Sequence, residues 1–371
     1  MKNEANSQNQ NSIDQKKLQN FMEVILSDLA GAYSAVLVYI GDKLGLYKTM
    51  KDVGRPIRSQ ELADMTGTSE RNIREWLANQ AAGGYVMYDA ETQRYWLPME
   101  NALALADEDS LVFSVGAFQA TMSFFRDASK IIEAFKTGRG LPWSEHDPDL
   151  FIGTERFFKP GYSANLVSSW IPSLGNGRVE KKLKNQNAVV GDIGCGHGVS
   201  TIIMAKAYPD SKFIGFDVHE ASIKRARELA KEEGLSKEQI RFEVASATDY
   251  PSCPETNEQY DFIAFFDSLH DMGEPIGACS HALKSLKRDG TVMIVEPFAN
   301  DKVEDNFNPV GRLFYAASAM ACVPGSMACN GPALGAQAGE AKIRDVVMAG
   351  GFKHFRRATQ TPFNIVYEAS G

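Results

Sequence analysis

Residues 189–201 read VVGDIGCGHGVST. A short apolar run ends near Asp192, and Gly194, Gly196 and Gly198 then follow at every second position. Glycines so close together after a strand let a backbone touch a ligand, because they carry no side chain. The stretch therefore predicts a strand followed by a ligand-binding loop, with a helix continuing to about residue 208.

The chain on both sides of this loop alternates short apolar runs with helical segments. The predicted strands are NAVVGDI (187–193), KFIGFD (212–217), IRFEVA (240–245), DFIAFFD (261–267) and TVMIVE (291–296). Uniformly apolar runs are typical of parallel strands covered on both faces. A helix over 341–349 and two closing strands, KHFRRAT (353–359) and FNIVYEA (363–369), follow. The pattern predicts a Rossmann-like, doubly wound α/β domain with an antiparallel closing strand pair.

Acidic residues stand where four of the predicted strands end: Asp192, Asp217, Asp267 and Glu296. Ligands of open α/β sheets bind beyond the carboxyl ends of the strands, so we expect these four carboxylates to face one crevice. Two unit charges about 4 Å apart interact at roughly 4 kcal/mol under a surface-like dielectric. Such a crevice would repel a polyphosphate.

The glycine spacing agrees with a phosphate-free ligand. The dinucleotide fingerprint is GxGxxG, whereas this loop reads DxGxGxG. Asp217 stands at the end of the next strand, where an acid commonly binds ribose hydroxyls. These features favour a ligand that carries a ribose, lacks phosphates and bears positive charge. S-adenosylmethionine, with its sulfonium and its ammonium, fits that description.

Residues 185–300 and the closing strand pair resemble the class I S-adenosylmethionine-dependent methyltransferases, a seven-stranded family. DIGCGHG is similar to the glycine-rich first motif of the family, and FIGFD to its acidic second motif. The resemblance implies that the three glycines approach the methionine part of the cofactor and that Asp217 binds both ribose hydroxyls. It places Ser246 and Ala247 at the adenine, although an aspartate is common at the position of Ser246. The candidate cofactor residues are Asp192, Gly194, Cys195, Gly196, Gly198, Asp217, Val218, Ser246, Ala247 and Asp267.

The N-terminal part shows a helix, a turn, a second helix and a hairpin. Helices are predicted over 59–63 and from Thr68 or Ser69 to Ala82, and the strands are YVMYD (85–89) and RYWLP (94–98). This order is typical of a winged helix. A winged-helix, dimer-forming domain ahead of the methyltransferase fold resembles the small-molecule O-methyltransferases of plants and bacteria.

The segment FFDSLHDMGEP (265–275) is similar to the catalytic LHDWSDE segment of those O-methyltransferases. The resemblance implies that His270 takes a proton from the acceptor hydroxyl, and Asp271 or Glu296 is the candidate residue that orients it. The chain departs from the group in having Met-Gly-Glu-Pro where the group has Trp-Ser-Asp-Glu. IVEP, VEDNFNPVGR and LGAQAGEA resemble, more closely still, a set of uncharacterised bacterial winged-helix methyltransferases.

The predicted domain organisation has four parts. We expect a disordered tail over 1–16, a winged-helix and dimerisation domain over 17–105, a helical bridging region over 106–180 and the methyltransferase domain over 181–371. Within the last part, about 301–340 is rich in Met, Ala and Gly with little regular pattern, and is predicted to be a lid-like insert.

Composition narrows the classes of function. The net charge is −8 and the pI about 5.4, whereas a general nucleic-acid or anionic-membrane binder would be basic. The five cysteines are scattered without a CxxC pair, which predicts neither disulfides nor zinc, and we expect no metal. Reduced thiols favour the cytoplasm. No run of about 18 apolar residues occurs, so no transmembrane helix is expected.

The sequence therefore predicts methyl transfer from S-adenosylmethionine to a small-molecule acceptor, with a hydroxyl favoured and S-adenosylhomocysteine as product. N-, S- or C-methylation and a non-methylating use of the cofactor stay open. A DNA-binding regulator with a ligand-sensing domain is the competing class, although the second helix, SERNIREWLANQAA, holds only Arg71 and Arg74 as cations. We expect a homodimer formed through the apolar helices over 21–46.

Overall fold

The computed structural model describes residues 13–251 and 259–371. The chain divides into two compact units, Met1–Asp107 and Glu108–Gly371. Residues 1–12 of the predicted disordered tail lie outside the described residues. The end of that predicted tail is helical, because the first helix begins at Gln15 with Asp14 as its N-cap.

The N-terminal unit is a winged helix, as the sequence predicted. Its elements are α1 (Gln15–Lys43), α2 (Leu46–Val53), α3 (Ser59–Thr66), α4 (Glu70–Ala82), β1 (Met87–Asp89), β2 (Arg94–Trp96) and α5 (Met99–Leu105). Strands β1 and β2 pair antiparallel with Tyr88 opposite Tyr95. Trp76 of α4 fixes this core: its ring lies 5.1 Å from that of Tyr47, and its Nε1 donates to Leu37 O at 2.8 Å.

Helix α1 exposes many apolar side chains for an element of a folded unit. Leu18, Phe21, Leu29 and Tyr33 are all more than two-fifths exposed. Among the described residues, α1 is the one helix long and apolar enough to cross a membrane by length and composition, with a mean hydropathy of 1.7 in its best window. The core helix of a soluble protein and a signal sequence near the N-terminus pass the same test.

The second helix of the helix-turn-helix, α4, neutralises its own cations. Arg71 pairs with Glu75 at 2.6 Å, and Arg74 pairs with Glu70 at 2.6 Å, each one helical turn apart. Since phosphate contacts need several available lysines or arginines, this helix offers little to a DNA backbone.

The C-terminal unit begins with helices that lead into the sheet. They are α6 (Val115–Arg126), α7 (Ala128–Thr137), α8 (Pro148–Asn165), α9 (Ile171–Ser173) and α10 (Arg178–Asn185). A π-helical turn, Leu166–Trp170, joins α8 to α9. Helices α6 and α8 pack closely because Gly116 faces the backbone of Arg156 and Phe157, where an added Cβ would come within 2.6 Å.

Seven strands form one sheet. They are β3 (Val189–Ile193), β4 (Lys212–Asp217), β5 (Ile240–Val244), β6 (Tyr260–Phe266), β7 (Leu286–Pro297), β8 (His354–Gln360) and β9 (Asn364–Ser370). Their order is β5-β4-β3-β6-β7-β9-β8, with β3 to β7 parallel and β9 antiparallel to both of its neighbours. This is the predicted Rossmann-like sheet with its antiparallel closing pair.

Buried side chains cover both faces of the sheet, which explains the uniformly apolar strand sequences. Val190 and Phe262 belong to one cluster, whereas Val189 and Ile263 belong to the other. The remaining helices are α11 (Val199–Ala207), α12 (Glu220–Glu232), α13 (Pro275–Ser285), α14 (Pro309–Ala317), α15 (Val323–Ala328) and α16 (Gly339–Ala349).

The insert over 301–340 is more regular than the sequence suggested. Helix α14, a π-helical turn over Ser318–Cys322 and α15 form one nearly continuous helical stretch. Pro309 stands at the start of α14, where proline is tolerated because its missing N–H has no helical partner there, and Pro324 follows the π-helical turn. The prediction of little regular pattern was therefore wrong: Pro309 begins a helix, and the alanines and methionines that follow it are good helix formers.

Candidate active site

The glycine loop joins β3 to α11 and is anchored on the neighbouring strand. Gly194 N and Cys195 N both donate to Phe216 O, at 2.8 and 3.0 Å. Gly194, Gly196 and Gly198 have φ values of 74°, 53° and 77°, a backbone region that favours glycine. A Cβ on Gly194 would meet Ser268 at 2.8 Å, whereas a Cβ on Gly196 would meet nothing within 4 Å. Gly196 therefore leaves open space beside the loop.

Asp217, at the end of β4, holds the loop from the other side. Its Oδ2 accepts from Gly196 N at 2.9 Å and its Oδ1 from His219 N at 2.8 Å. Burial raises the pKa of this carboxyl above its usual range. Each carboxylate oxygen keeps a further lone pair, so the two backbone contacts do not exhaust what Asp217 can bind.

Asp192, by contrast, lies behind the loop. It is 0% exposed, and its Oδ2 accepts from Ser200 Oγ at 2.7 Å and Thr201 Oγ1 at 2.6 Å in the first turn of α11. Burial raises its pKa to about 6. Asp192 supports the loop and does not line the cavity beside it.

A cavity of about 540 Å³ opens beside the loop in the C-terminal unit. Eight of the ten candidate cofactor residues line it: Gly194, Cys195, Gly196, Asp217, Val218, Ser246, Ala247 and Asp267. Gly198 and Asp192 do not line it, and neither does Glu296. Of the four strand-end carboxylates expected to face one crevice, the structure thus brings only Asp217 and Asp267 to the cavity wall.

Apolar and aromatic side chains also line the cavity. They are Phe124, Trp143, Leu150, Phe151, Phe157, Phe158, Met272, Leu313 and Phe314. Small residues of α14 and the π-helical turn, Ala317 and Ala321, complete this wall. A cavity with an apolar wall and few polar groups is typical of a small-molecule site.

His270 lies between two carboxylates at the cavity edge and is 2% exposed. Its Nδ1 lies 2.5 Å from Glu296 Oε2, and its Nε2 lies 2.9 Å from Asp271 Oδ1. The second contact is an ion pair rather than an aligned hydrogen bond, since Asp271 Oδ1 has no hydrogen-bond partner. Burial alone would lower the pKa of His270, but Asp271 and Glu296 outweigh it and raise that pKa well above its ordinary value.

Cys322, on the π-helical turn, adds a thiol to this group. His270, Asp271 and Cys322 place ligand-type atoms within 4.8 Å of one another, and among the described residues they form the one such group that could hold a metal ion. Burial, together with Asp271, raises the pKa of the Cys322 thiol to about 12. No motif connects this cysteine with His270, and the expectation of no metal stays a prediction.

Sequence reasoning missed several contacts that come from the bridging helices. Glu155 Oε2 lies 2.7 Å from His197 Nδ1 in the glycine loop. The ring of Phe151 lies 4.7 Å from that of His219. Helix α8 also brings Tyr162 to Asp267. No motif in the sequence marks Glu155, Phe151 or Tyr162 as a contact of these residues.

Comparison with known families matches the two units separately. Residues 184–340 match the methyltransferase domain, and residues 32–107 match the Rv2258c-like winged HTH domain. The chain is an S-adenosylmethionine-dependent methyltransferase with an N-terminal winged-helix domain. Its methyltransferase domain contains the glycine loop, Asp217 and His270.

Solved structures share the fold of this methyltransferase over nearly its whole length. The mitomycin 7-O-methyltransferase MmcR superposes with a TM-score of 0.68 at 16% identity, covering 96% of this chain and 100% of its own. PigF with SAH gives 0.69 at 16% identity, covering 97% and 100%. Human N-acetylserotonin methyltransferase in complex with SAM gives 0.63 at 17% identity, covering 97% and 99%. Likeness at these identities shows the fold.

Curated relatives match a shorter part of the methyltransferase. A tRNA (guanine-N(7)-)-methyltransferase of Aliivibrio fischeri is 34% identical over 92 residues, which are 23% of this chain and 38% of that enzyme. A second one, of Christiangramia forsetii, is 41% identical over 56 residues, 15% of this chain and 25% of that enzyme. The chain thus spans well under half of either relative.

Proposed function

We propose that this enzyme transfers the methyl group of S-adenosylmethionine to a hydroxyl of a small-molecule acceptor, forming a methyl ether and S-adenosylhomocysteine. One observation carries the proposal: a single cavity touches both the glycine loop with Asp217 and the His270 group with its apolar surroundings. The O-methyltransferase named among the fold neighbours, which acts on mitomycin, supports the same class of acceptor.

The residues at the glycine loop fit the proposed cofactor. The open space beside Gly196 admits a ligand against the backbone, and Asp217 keeps lone pairs for ribose hydroxyls. Ser246 and Ala247 line the cavity after β5, where the adenine contact is expected. Bound there, the cofactor would supply an activated methyl carbon. The protein then needs mainly to align the acceptor and exclude water.

Within the acceptor region we propose His270 as the general base, with Glu296 orienting it through Nδ1. A protonated imidazole cannot take a proton, and the two carboxylates favour the protonated form. The role therefore requires that the acceptor hydroxyl take the place of Asp271 at Nε2. Asp271 is free to turn, because about a third of its side chain is exposed. A positioned base contributes about 10²–10⁴-fold.

The apolar wall around Phe124, Phe157 and Phe314 favours an aromatic or lipophilic acceptor. Calorimetric titration with S-adenosylmethionine and S-adenosylhomocysteine, beside NAD and ATP, tests the cofactor. A labelled-methyl screen of phenols, carboxylic acids, amines and thiols then identifies the reacting atom. Tight binding of NAD or ATP without binding of S-adenosylmethionine would end the proposal. If an amine or a thiol is labelled instead, the protein is still a methyltransferase, but its acceptor is not a hydroxyl.

We also propose that α1 dimerises with the α1 of a second copy in the cytoplasm. The exposed Phe21 and Leu29 support it, since folded proteins rarely leave a long apolar helix in water. Sedimentation at micromolar concentration without detergent tests the assembly, and vesicle flotation tests the alternative occupant, a lipid surface. A monomer, or flotation with the vesicles, would contradict the dimer.

A further inference from the structure

Asp267, which follows β6, has an unusual setting for a carboxylate. Its Oδ2 accepts from Tyr162 Oη at 2.7 Å, and its Oδ1 accepts from Asn364 Nδ2 at 2.9 Å. The backbone at Asp267 has a φ of 47°, which is uncommon for a residue with a side chain. Tyr162 comes from α8 and Asn364 from β9, so two distant parts of the chain converge on one carboxyl group that lines the cavity.

Both partners of Asp267 are neutral. Among the residues that the structure describes, no lysine or arginine forms an ion pair with it, although a buried carboxylate is costly without a cation. The titratable groups that act on Asp267 are Tyr162 on α8, Glu296 on β7, and His270 and Asp271 after β6, while Asp192 on β3 acts on its partner Tyr162. Of these, only His270 can be a cation, and two other carboxylates already contact it.

Burial, reinforced by Glu296 and Asp271, raises the pKa of Asp267 to about 8. At neutral pH the ligand-free site therefore holds a proton on this carboxyl. Tyr162 and Asn364 donate to both oxygens, so they stabilise the ionised form whenever a positive charge arrives. Asp267 is thus a buried carboxyl group with two neutral hydrogen-bond donors and no cationic side chain paired with it among the described residues.

We propose that Tyr162 and Asn364 are positioning residues that hold Asp267 for the sulfonium charge of the cofactor. The site thereby distinguishes S-adenosylmethionine from its product, whose sulfur is an uncharged thioether. The inference rests on the proposed function. Binding of the sulfonium compound releases the proton of Asp267, whereas the product, which has lost that charge, leaves the carboxyl protonated. Product therefore binds more weakly than cofactor, which favours turnover.

Calorimetry in two buffers of different ionisation enthalpy, at pH 7, tests the proposal without any methyl acceptor. We expect S-adenosylmethionine to release a fraction of a proton and S-adenosylhomocysteine to release none. Asp267→Asn and Tyr162→Phe should each lower the ratio of the two affinities, by about tenfold for Asp267→Asn, which corresponds to about 1.4 kcal/mol. Tyr208→Phe is the matched control, because its buried hydroxyl has no hydrogen-bond partner.

The outcomes separate this inference from the proposed function. If the unaltered protein binds neither compound, the proposed function fails. If both bind but proton release is equal, or Asp267→Asn keeps the full affinity ratio, only the inference is overturned. Tyr162→Phe preserves shape and volume, so it carries the test if Asp267→Asn does not fold. An effect of Tyr208→Phe equal to that of Tyr162→Phe would also overturn it.

Discussion

Gly196→Ala should weaken cofactor binding while costing little more stability than a surface substitution. The added methyl group would point into the open space beside the glycine loop, where no protein atom lies within 4 Å. The matched control is Gly234→Ala, whose φ of 73° is also left-handed and whose added Cβ likewise meets nothing within 4 Å. Gly194→Ala is the contrasting variant, because its Cβ would meet Ser268 at 2.8 Å.

The magnitudes follow from these environments. A side chain at positive φ costs about 1 kcal/mol, so Gly196→Ala and Gly234→Ala should lower the free energy of unfolding by similar amounts. Gly194→Ala should cost about 1–3 kcal/mol more, since Ser268 must move. For binding, a methyl group in the space that the cofactor fills should cost about 1–3 kcal/mol, or roughly 5- to 150-fold in Kd. Gly234→Ala should leave Kd unchanged.

Chemical denaturation gives the unfolding free energies, and calorimetry with S-adenosylmethionine gives the Kd values of the same preparations. Contact between the loop and the cofactor is excluded if Gly196→Ala binds S-adenosylmethionine as tightly as the unaltered protein. A steric cause of weaker binding is excluded if Gly234→Ala weakens binding equally, because the loss would then come from backbone strain alone.

Four further outcomes are expected. His270→Ala should lower kcat by about 10²–10⁴-fold and leave the Kd of S-adenosylmethionine unchanged, as single-turnover assays and calorimetry would show. An unchanged kcat would contradict the role of His270 as general base. Asp192→Ala should cost roughly 2–4 kcal/mol of unfolding free energy because it leaves two buried hydroxyl groups without an acceptor, and a loss below about 0.5 kcal/mol in urea titration would contradict this. Folding raises the pKa of Asp267 from 3.8 to about 8, so its contribution to the stability of the ligand-free protein is complete below about pH 4 and is lost as pH rises through 8. Melting curves should show that stability falls less steeply with pH in Asp267→Asn, and an unchanged slope of stability against pH would contradict this. Phe21→Glu with Leu29→Glu should shift sedimentation from dimer to monomer without changing Kd, whereas an unaltered dimer would place the interface elsewhere.

The strands illustrate what local sequence can predict. The apolar runs, the glycine loop and the acid at the end of β4 lie close together in the chain, so their spacing in the sequence predicts the fold directly. The strand predictions over 187–193, 212–217, 240–245 and 261–267 each fall within two residues of the observed strands. The helices of the insert over 301–340 were harder to predict, because a proline within a helical stretch and a proline in a loop look alike in a single sequence.

The sequence alone determined the class of fold, the position of the glycine loop and the cofactor class, because each follows from short-range pattern and charge. The tertiary structure decided which acids reach the cavity. It buried Asp192 behind the loop and placed Glu296 behind His270, leaving Asp217 and Asp267 at the wall. It also joined Tyr162, Asp267 and Asn364, which lie 105 and 97 residues apart. Contacts at such separations depend on how helices pack on the sheet, and neither periodicity nor motif spacing records that packing.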